Sequence, residues 1–168
     1  AYTSCSMKEE NKYVRGLNPT ETVAVEGVRV NVYDFRGLEP LFTQHNDTLY
    51  VINFWATWCK PCVKELPYFE SIRNENILLP VKVILISLDF REQLETHLIP
   101  FLVKRKIMSE VMVLHDPDAN TWIDKIDPEW SGSIPATLFI KGSSREFYEK
   151  SFSYEELNKI IESKLIQI

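Results

Sequence analysis

The apolar run Val51-Ile-Asn-Phe-Trp-Ala-Thr-Trp, which ends on Cys59-Lys-Pro-Cys62, constrains this chain more than any other stretch of its 168 residues. Thr48 to Trp55 has the composition of a central strand buried on both faces. From about Cys59 to Asn74 the apolar residues Val63, Leu66, Phe69 and Ile72 fall close to helical spacing, so a buried strand delivers two thiols to the start of a helix. Pro61 suits the first turn, where its missing N–H would have had no intrahelical partner, and Pro67 is expected to kink the helix by deleting one hydrogen bond. The first thiol lies against unsatisfied backbone N–H groups and the positive end of the helix dipole, with Lys60 adding a charge beside it, and both favour the thiolate. Cys59 is therefore the candidate nucleophile, and Cys62, set deeper, the resolving thiol.

Two plainer explanations of the pair fare worse. A disulfide over so short a loop restrains the unfolded chain weakly, so a structural staple gains little. A zinc site wants a second Cys or His pair at ligand spacing, whereas His45, His97 and His115 are scattered and no second CxxC exists.

Phe54-Trp-Ala-Thr-Trp-Cys-Lys-Pro-Cys62 resembles the active-site motif of thioredoxin-like proteins, especially the extracytoplasmic TlpA/ResA-like group. Glu65-Leu-Pro67 follows at the group's offset, and Ser133-Ile-Pro-Ala-Thr-Leu-Phe139 is similar to the later loop that carries its cis-proline. The resemblance spans residues 27–168. It implies an α/β thioredoxin fold, a central mixed sheet flanked by helices, with an N-terminal strand extension and a βα insertion. On this reading residues 1–22 form a lead-in segment and residues 23–168 one thioredoxin-like domain.

The resemblance also implies roles. Cys59 and Cys62 would cycle between dithiol and disulfide with no separate cofactor and no metal. Glu65 would help move protons at the dithiol. Spacing alone places Cys59, Cys62 and Glu65 on neighbouring turns of one helix side, and without the resemblance a solvated surface glutamate is the preferred reading. Ile134-Pro135 would be a cis peptide bond beside the dithiol, with the Ile134 backbone pairing to bound substrate, whereas the sequence by itself allows a trans surface turn. Lys60 and Pro61 would border that contact. Of the two motif tryptophans, one packs beneath the motif and Trp58 offers a flat exposed surface to substrate, unless both are core aromatics. Asn53 departs from ordinary thioredoxin, which has a titrating aspartate at this strand position, so proton transfer would fall to Glu65, water or the substrate.

The implied activity is thiol–disulfide oxidoreduction, reducing disulfides of substrate proteins outside the cytoplasm as a monomer, with electrons from a membrane thiol relay. Cytochrome c maturation is one client pathway the resemblance suggests. Two rival readings share parts of the motif. A peroxiredoxin-like peroxidase wants a Thr where Ala56 stands, and a copper-binding metallochaperone would use both thiols with His115.

The remaining chain fits this frame. A formal charge of −5 argues against a nucleic-acid surface, and Lys104-Arg105-Lys106 reads as the basic end of a helix. No apolar run approaches the roughly 20 residues needed to cross a bilayer. The third cysteine, in Ala1-Tyr-Thr-Ser-Cys5-Ser, resembles a lipoprotein acylation site with Tyr2 in place of the usual Leu, and a lipid anchor there is the alternative to an inert tail cysteine. Val23 to Tyr33 reads as two strands about Glu26-Gly27, Gly37 to His45 as a short helix, and Val81 to Leu88 as a second buried strand. Asp89 and Glu92 have capping-box spacing for a helix carrying Leu94, Leu98, Phe101 and Leu102 inward, broken near Ile99 by Pro100. Glu110 to His115 is a further strand, Thr137–Lys141 and Arg145–Lys150 a hairpin, and Ser153 with Glu156 the cap of a last helix. Asp116, Asp118, Asn120, Asp124 and Asp127 match the spacing of a calcium loop, but Thr121 replaces its obligatory glycine and a solvated turn suffices.

Overall fold

A computed structural model of the chain describes residues 14–166, so the lipid-anchor reading of Cys5 lies outside the described residues. Alternating apolar residues give the first two strands, β1 (Glu21–Val25) and β2 (Val28–Tyr33), paired antiparallel with Val25 opposite Val28. The turn between them holds two residues, Glu26 and Gly27, both in the left-handed region (φ 48° and 84°), the geometry that matches strand twist in a tight hairpin. β1 starts two residues ahead of the alternation, and both the N–H and the hydroxyl of Thr20 reach the Val32 carbonyl.

The strand that feeds the motif, β3 (Leu49–Trp55), is buried at every position. It pairs parallel with β4 (Val81–Ser87) and antiparallel with β6 (Ala136–Lys141). β5 (Glu110–Leu114) lies between β4 and β2, parallel to both, and β7 (Ser144–Tyr148) closes the far edge against β6. The result is one mixed seven-stranded sheet in the order β1-β2-β5-β4-β3-β6-β7. Lys141 pairs with Ser144, so the last hairpin turns on Gly142-Ser143 alone and Ser144 belongs to the strand.

Side chains alternate across β3 and bury both faces of the sheet. Leu49, Val51 and Trp55 join Phe69 and Ile72 of α2 (Lys60–Glu75) and Leu157 and Ile161 of α5 (Tyr154–Ile166). Tyr50, Ile52 and Phe54 face Leu38 of α1 (Phe35–Leu38) and Trp122 and Ile126 of α4 (Ala119–Ile126). The helix expected over Gly37–His45 begins earlier, because Asp34 caps it by accepting the Gly37 N–H at 2.7 Å, and after Leu38 it tightens into a 3₁₀ turn, Glu39–Thr43, containing Pro40. Gly37 has no room for a side chain: a Cβ there would lie 2.1 Å from the Asn18 carbonyl oxygen, and the Asn18 N–H donates to the Gly37 carbonyl. Gly37→Ala is expected to lower unfolding free energy by about 2 kcal/mol in a urea titration. An unchanged midpoint would show that the lead-in to β1 shifts at no cost.

The Asp89–Glu92 capping box is corrected. Phe90 flanks a single 3₁₀ turn, Arg91–Gln93, with no side-chain cap, followed by a π-helical turn, Leu94–Leu98. The α-helix proper, α3 (Ile99–Arg105), starts with Pro100 in its first turn, where the break was expected. Asp89 cannot cap because it is buried and its oxygens are already taken, as described below. The box at Ser153 and Glu156 does form: the Glu156 N–H reaches Ser153 Oγ at 3.2 Å and the Ser153 N–H reaches Glu156 Oε2 at 2.9 Å. The acidic run after β5 serves turns, Asp116 accepting the N–H groups of Phe35 and Asp118, and Asp127 that of Glu129. α2 runs unbroken through Pro67. Among the described residues no helix is long and apolar enough to cross a membrane.

Candidate active site

After β3 ends at Trp55, three residues carry the chain to Cys59, which occupies the N-cap of α2 with extended backbone (φ −92°, ψ 99°). Its sulfur accepts the Cys62 N–H at 3.3 Å, and its carbonyl accepts the Val63 N–H at 3.0 Å. Lys60 and Pro61 fill the first two helical positions and are exposed. Helix geometry brings the fourth residue of the motif back over the first, and the two sulfurs are bonded at 2.07 Å. Of the pair, Cys59 retains 6% exposure and Cys62 none, so an incoming disulfide meets Cys59 first.

The loop before β6 completes the surface. The Ile134–Pro135 bond is cis, Pro135 is buried, and the Ile134 carbonyl oxygen lies 3.8 Å from Cys59 Sγ. Residues 75 apart in sequence thus border one sulfur. The two tryptophans divide: Trp55 is fully buried against Phe101, ring centroids 5.5 Å apart, whereas Trp58 is 54% exposed.

Glu65 is not a solvated glutamate. It is 1% exposed; Oε1 accepts Asn53 Nδ2 at 3.1 Å and Oε2 accepts the Phe152 N–H at 2.8 Å. Burial pushes its carboxyl up from 4.5 to about 7, against the pull of those two hydrogen bonds. Asn53 also donates to Thr137 Oγ1 at 3.1 Å and Ala136 O at 3.4 Å, which ties β3, α2 and the start of β6 into one buried network. Asn53 Oδ1 is buried with no partner among the described residues. Turning the amide over would place this acceptor where Nδ2 now meets Glu65, the arrangement a protonated Glu65 needs in order to donate.

Sequence reasoning missed Asp89 as a site residue. At 1% exposure, its carboxylate accepts the Thr57 N–H (3.1 and 3.2 Å), the Thr57 hydroxyl and Ser87 Oγ (2.7 Å), and so fixes the loop that leads into Cys59. The signal lay in the pairing of β3 with β4: Trp55 stands opposite Ser87 and the Leu88 N–H donates to the Trp55 carbonyl, so the residues after both strands are neighbours. Among the described residues no three His, Cys, Asp or Glu side chains converge to hold a metal. A cleft of about 1410 Å³ runs along β2 and the α3–β5 connection, lined by Val28, Ile107 and Glu110, and includes no motif residue.

A strand–CxxC–helix unit with a cis-proline at the reactive sulfur, set in this mixed sheet, defines a protein of the thioredoxin fold. A family model described as the AhpC/TSA family matches residues 30–143. The chain belongs to that family and is a TlpA/ResA-like protein of the thioredoxin superfamily. It is similar to the thiol-disulfide oxidoreductase ResA of Bacillus thuringiensis subsp. konkukian, 32% identical over 89 residues that make 52% of this chain and 46% of that protein. To the protein of the same name from Oceanobacillus iheyensis it is 30% identical over 114 residues, 64% of this chain and 52% of the other. The chain spans about half the length of the curated relatives it matches. A solved thiol:disulfide interchange protein of the thioredoxin family from Chlorobium tepidum TLS shares the fold at a TM-score of 0.61 and 20% identity, over 88% of this chain and 94% of that one.

Proposed function

We propose that this protein is a thiol–disulfide oxidoreductase that reduces disulfides of substrate proteins outside the cytoplasm by cycling Cys59 and Cys62. The observation that carries this reading is the Cys59 sulfur at a helix N-cap, receiving the Cys62 N–H while bonded to Cys62 itself. A hydrogen-bond donor and a helix start at one sulfur lower the energy of its thiolate, the form that attacks. Relatives named thiol-disulfide oxidoreductases support it.

In the reduced protein the Cys59 thiolate attacks one sulfur of the substrate disulfide, forming a mixed disulfide and releasing the other sulfur as a thiolate. Cys62 then loses its proton and attacks Cys59 Sγ. The second substrate sulfur leaves as a thiolate and is protonated, and the protein is left with the Cys59–Cys62 bond. Two electrons have passed to the substrate, and the protein's own dithiol supplied them without a separate cofactor. Glu65, one turn beyond Cys62, is the group that accepts the Cys62 proton: with a pKa of about 7 it is part ionised at neutral pH and can both take and return a proton. Ile134 offers its backbone to the substrate strand, Pro135 holds that carbonyl beside Cys59, and Trp58, Lys60 and Pro61 form the surrounding contact surface.

To act again the pair must be reduced, and a membrane thiol relay is the donor this reading requires outside the cytoplasm. A lipid anchor at Cys5 would hold the protein beside it. The direction of exchange is tested by equilibrating the protein with glutathione buffers. A reductant is expected to show a midpoint potential below about −200 mV, whereas a value near the roughly −120 mV of strongly oxidising members of this fold would reverse the assignment.

A further inference from the structure

The connection after β4 holds an aromatic ring outward. Phe90 is 59% exposed, and its ring stacks on that of Trp58, centroids 6.2 Å apart and planes 21° from parallel. Single exposed apolar side chains are ordinary on protein surfaces, but this one is held from both sides. On one side Asp89 is bound to Ser87 and to Thr57, the residue before Trp58. On the other, the Arg91 guanidinium grips both carboxylate oxygens of Glu21 in β1, at 2.5 and 2.8 Å. The N-terminal strand and the motif loop therefore hold the residues on either side of Phe90, and its ring rests against that of Trp58.

The shelf made by the two rings begins one residue before Cys59. Any polypeptide whose disulfide reaches Cys59 must lie across the neighbouring surface, with the Ile134 carbonyl as a backbone acceptor. An uncharged polar side chain laid on the rings would gain little from them, while an aromatic one covers their apolar faces and stacks. Resting on the exchange reaction proposed above, we infer that Trp58 and Phe90 form a selectivity shelf that favours substrates carrying an aromatic residue next to the reacting cysteine. Phe90 is its specificity-determining member, and Asp89 and Arg91 are positioning residues that act through it.

The test uses two peptides, each closed by one internal disulfide and identical except for Phe or Gly after the first cysteine, reduced by the full chain. With the reduced protein in excess, the second-order rate constant for peptide reduction is expected to favour the Phe peptide by about three- to tenfold. Phe90→Ala should bring that ratio close to one and Phe90→Trp should retain it. Leu78→Ala, 95% exposed between α2 and β4, should leave the ratio at the wild-type value. A wild-type ratio near one, or an unaltered ratio in Phe90→Ala, overturns the inference. Cys59→Ala reports on the parent reading separately: if it fails on both peptides the exchange mechanism stands whatever the ratio does, and if it still turns over, both readings fall.

Discussion

Cys59→Ala is expected to lower the rate of protein-disulfide reduction by at least about 10³-fold, to the level of the uncatalysed reaction, because no other described side chain presents a thiol at the surface. Cys62 alone cannot take over, because it has no exposure to an incoming disulfide. Cys62→Ala should behave differently. Attack by Cys59 remains, release does not, and a covalent adduct with substrate should accumulate one to one, visible by mass under non-reducing conditions. Rapid turnover by the Cys59 variant would reject the mechanism outright.

The second large effect is expected from Glu65→Gln. If the carboxylate takes the proton of the resolving thiol, the resolving step should slow by about 10²-fold near neutral pH, and the inflection near pH 7 should disappear from the rate profile. Stability gives an independent check. Burial raises the folded-state pKa above that of the unfolded chain, so the fold favours the neutral acid. The stability this contributes is fully present below about pH 4.5 and is lost as pH rises through about 7. Over that interval the loss is about 3 kcal/mol. Urea unfolding from pH 4 to pH 9 should show wild-type stability falling relative to Glu65→Gln. Parallel curves, together with an unaltered rate profile, would return Glu65 to a purely structural role.

Much of the scaffold was legible because its signals are local. The apolar run of β3, the cysteines at the helix start and the capping box at Ser153 and Glu156 each state their structure within a few residues. Asp89 and Glu92 spell the same box and do not form it, because the Asp89 carboxylate is claimed by Thr57, 32 residues earlier in sequence. A pattern of four letters cannot register a competitor that arrives through the pairing of two strands. Glu65 shows the same limit. Its spacing places it in line with Cys62, but its burial is completed by the backbone N–H of Phe152, 87 residues away, and backbone donors leave no mark on side-chain composition. Trp55 and Trp58 could be separated only as alternatives until Phe101 and Phe90 supplied their respective neighbours.

The central claim is that the N-cap position of Cys59 makes its thiolate easy to form. The rate of alkylation of the reduced protein by iodoacetamide, followed across pH with the modified cysteine located by mass, measures this directly. The account predicts that Cys59 is modified before Cys62, with an inflection at least about one unit below the 8.5 of an ordinary thiol. An inflection at or above 8.5, or Cys62 reacting first, would contradict it.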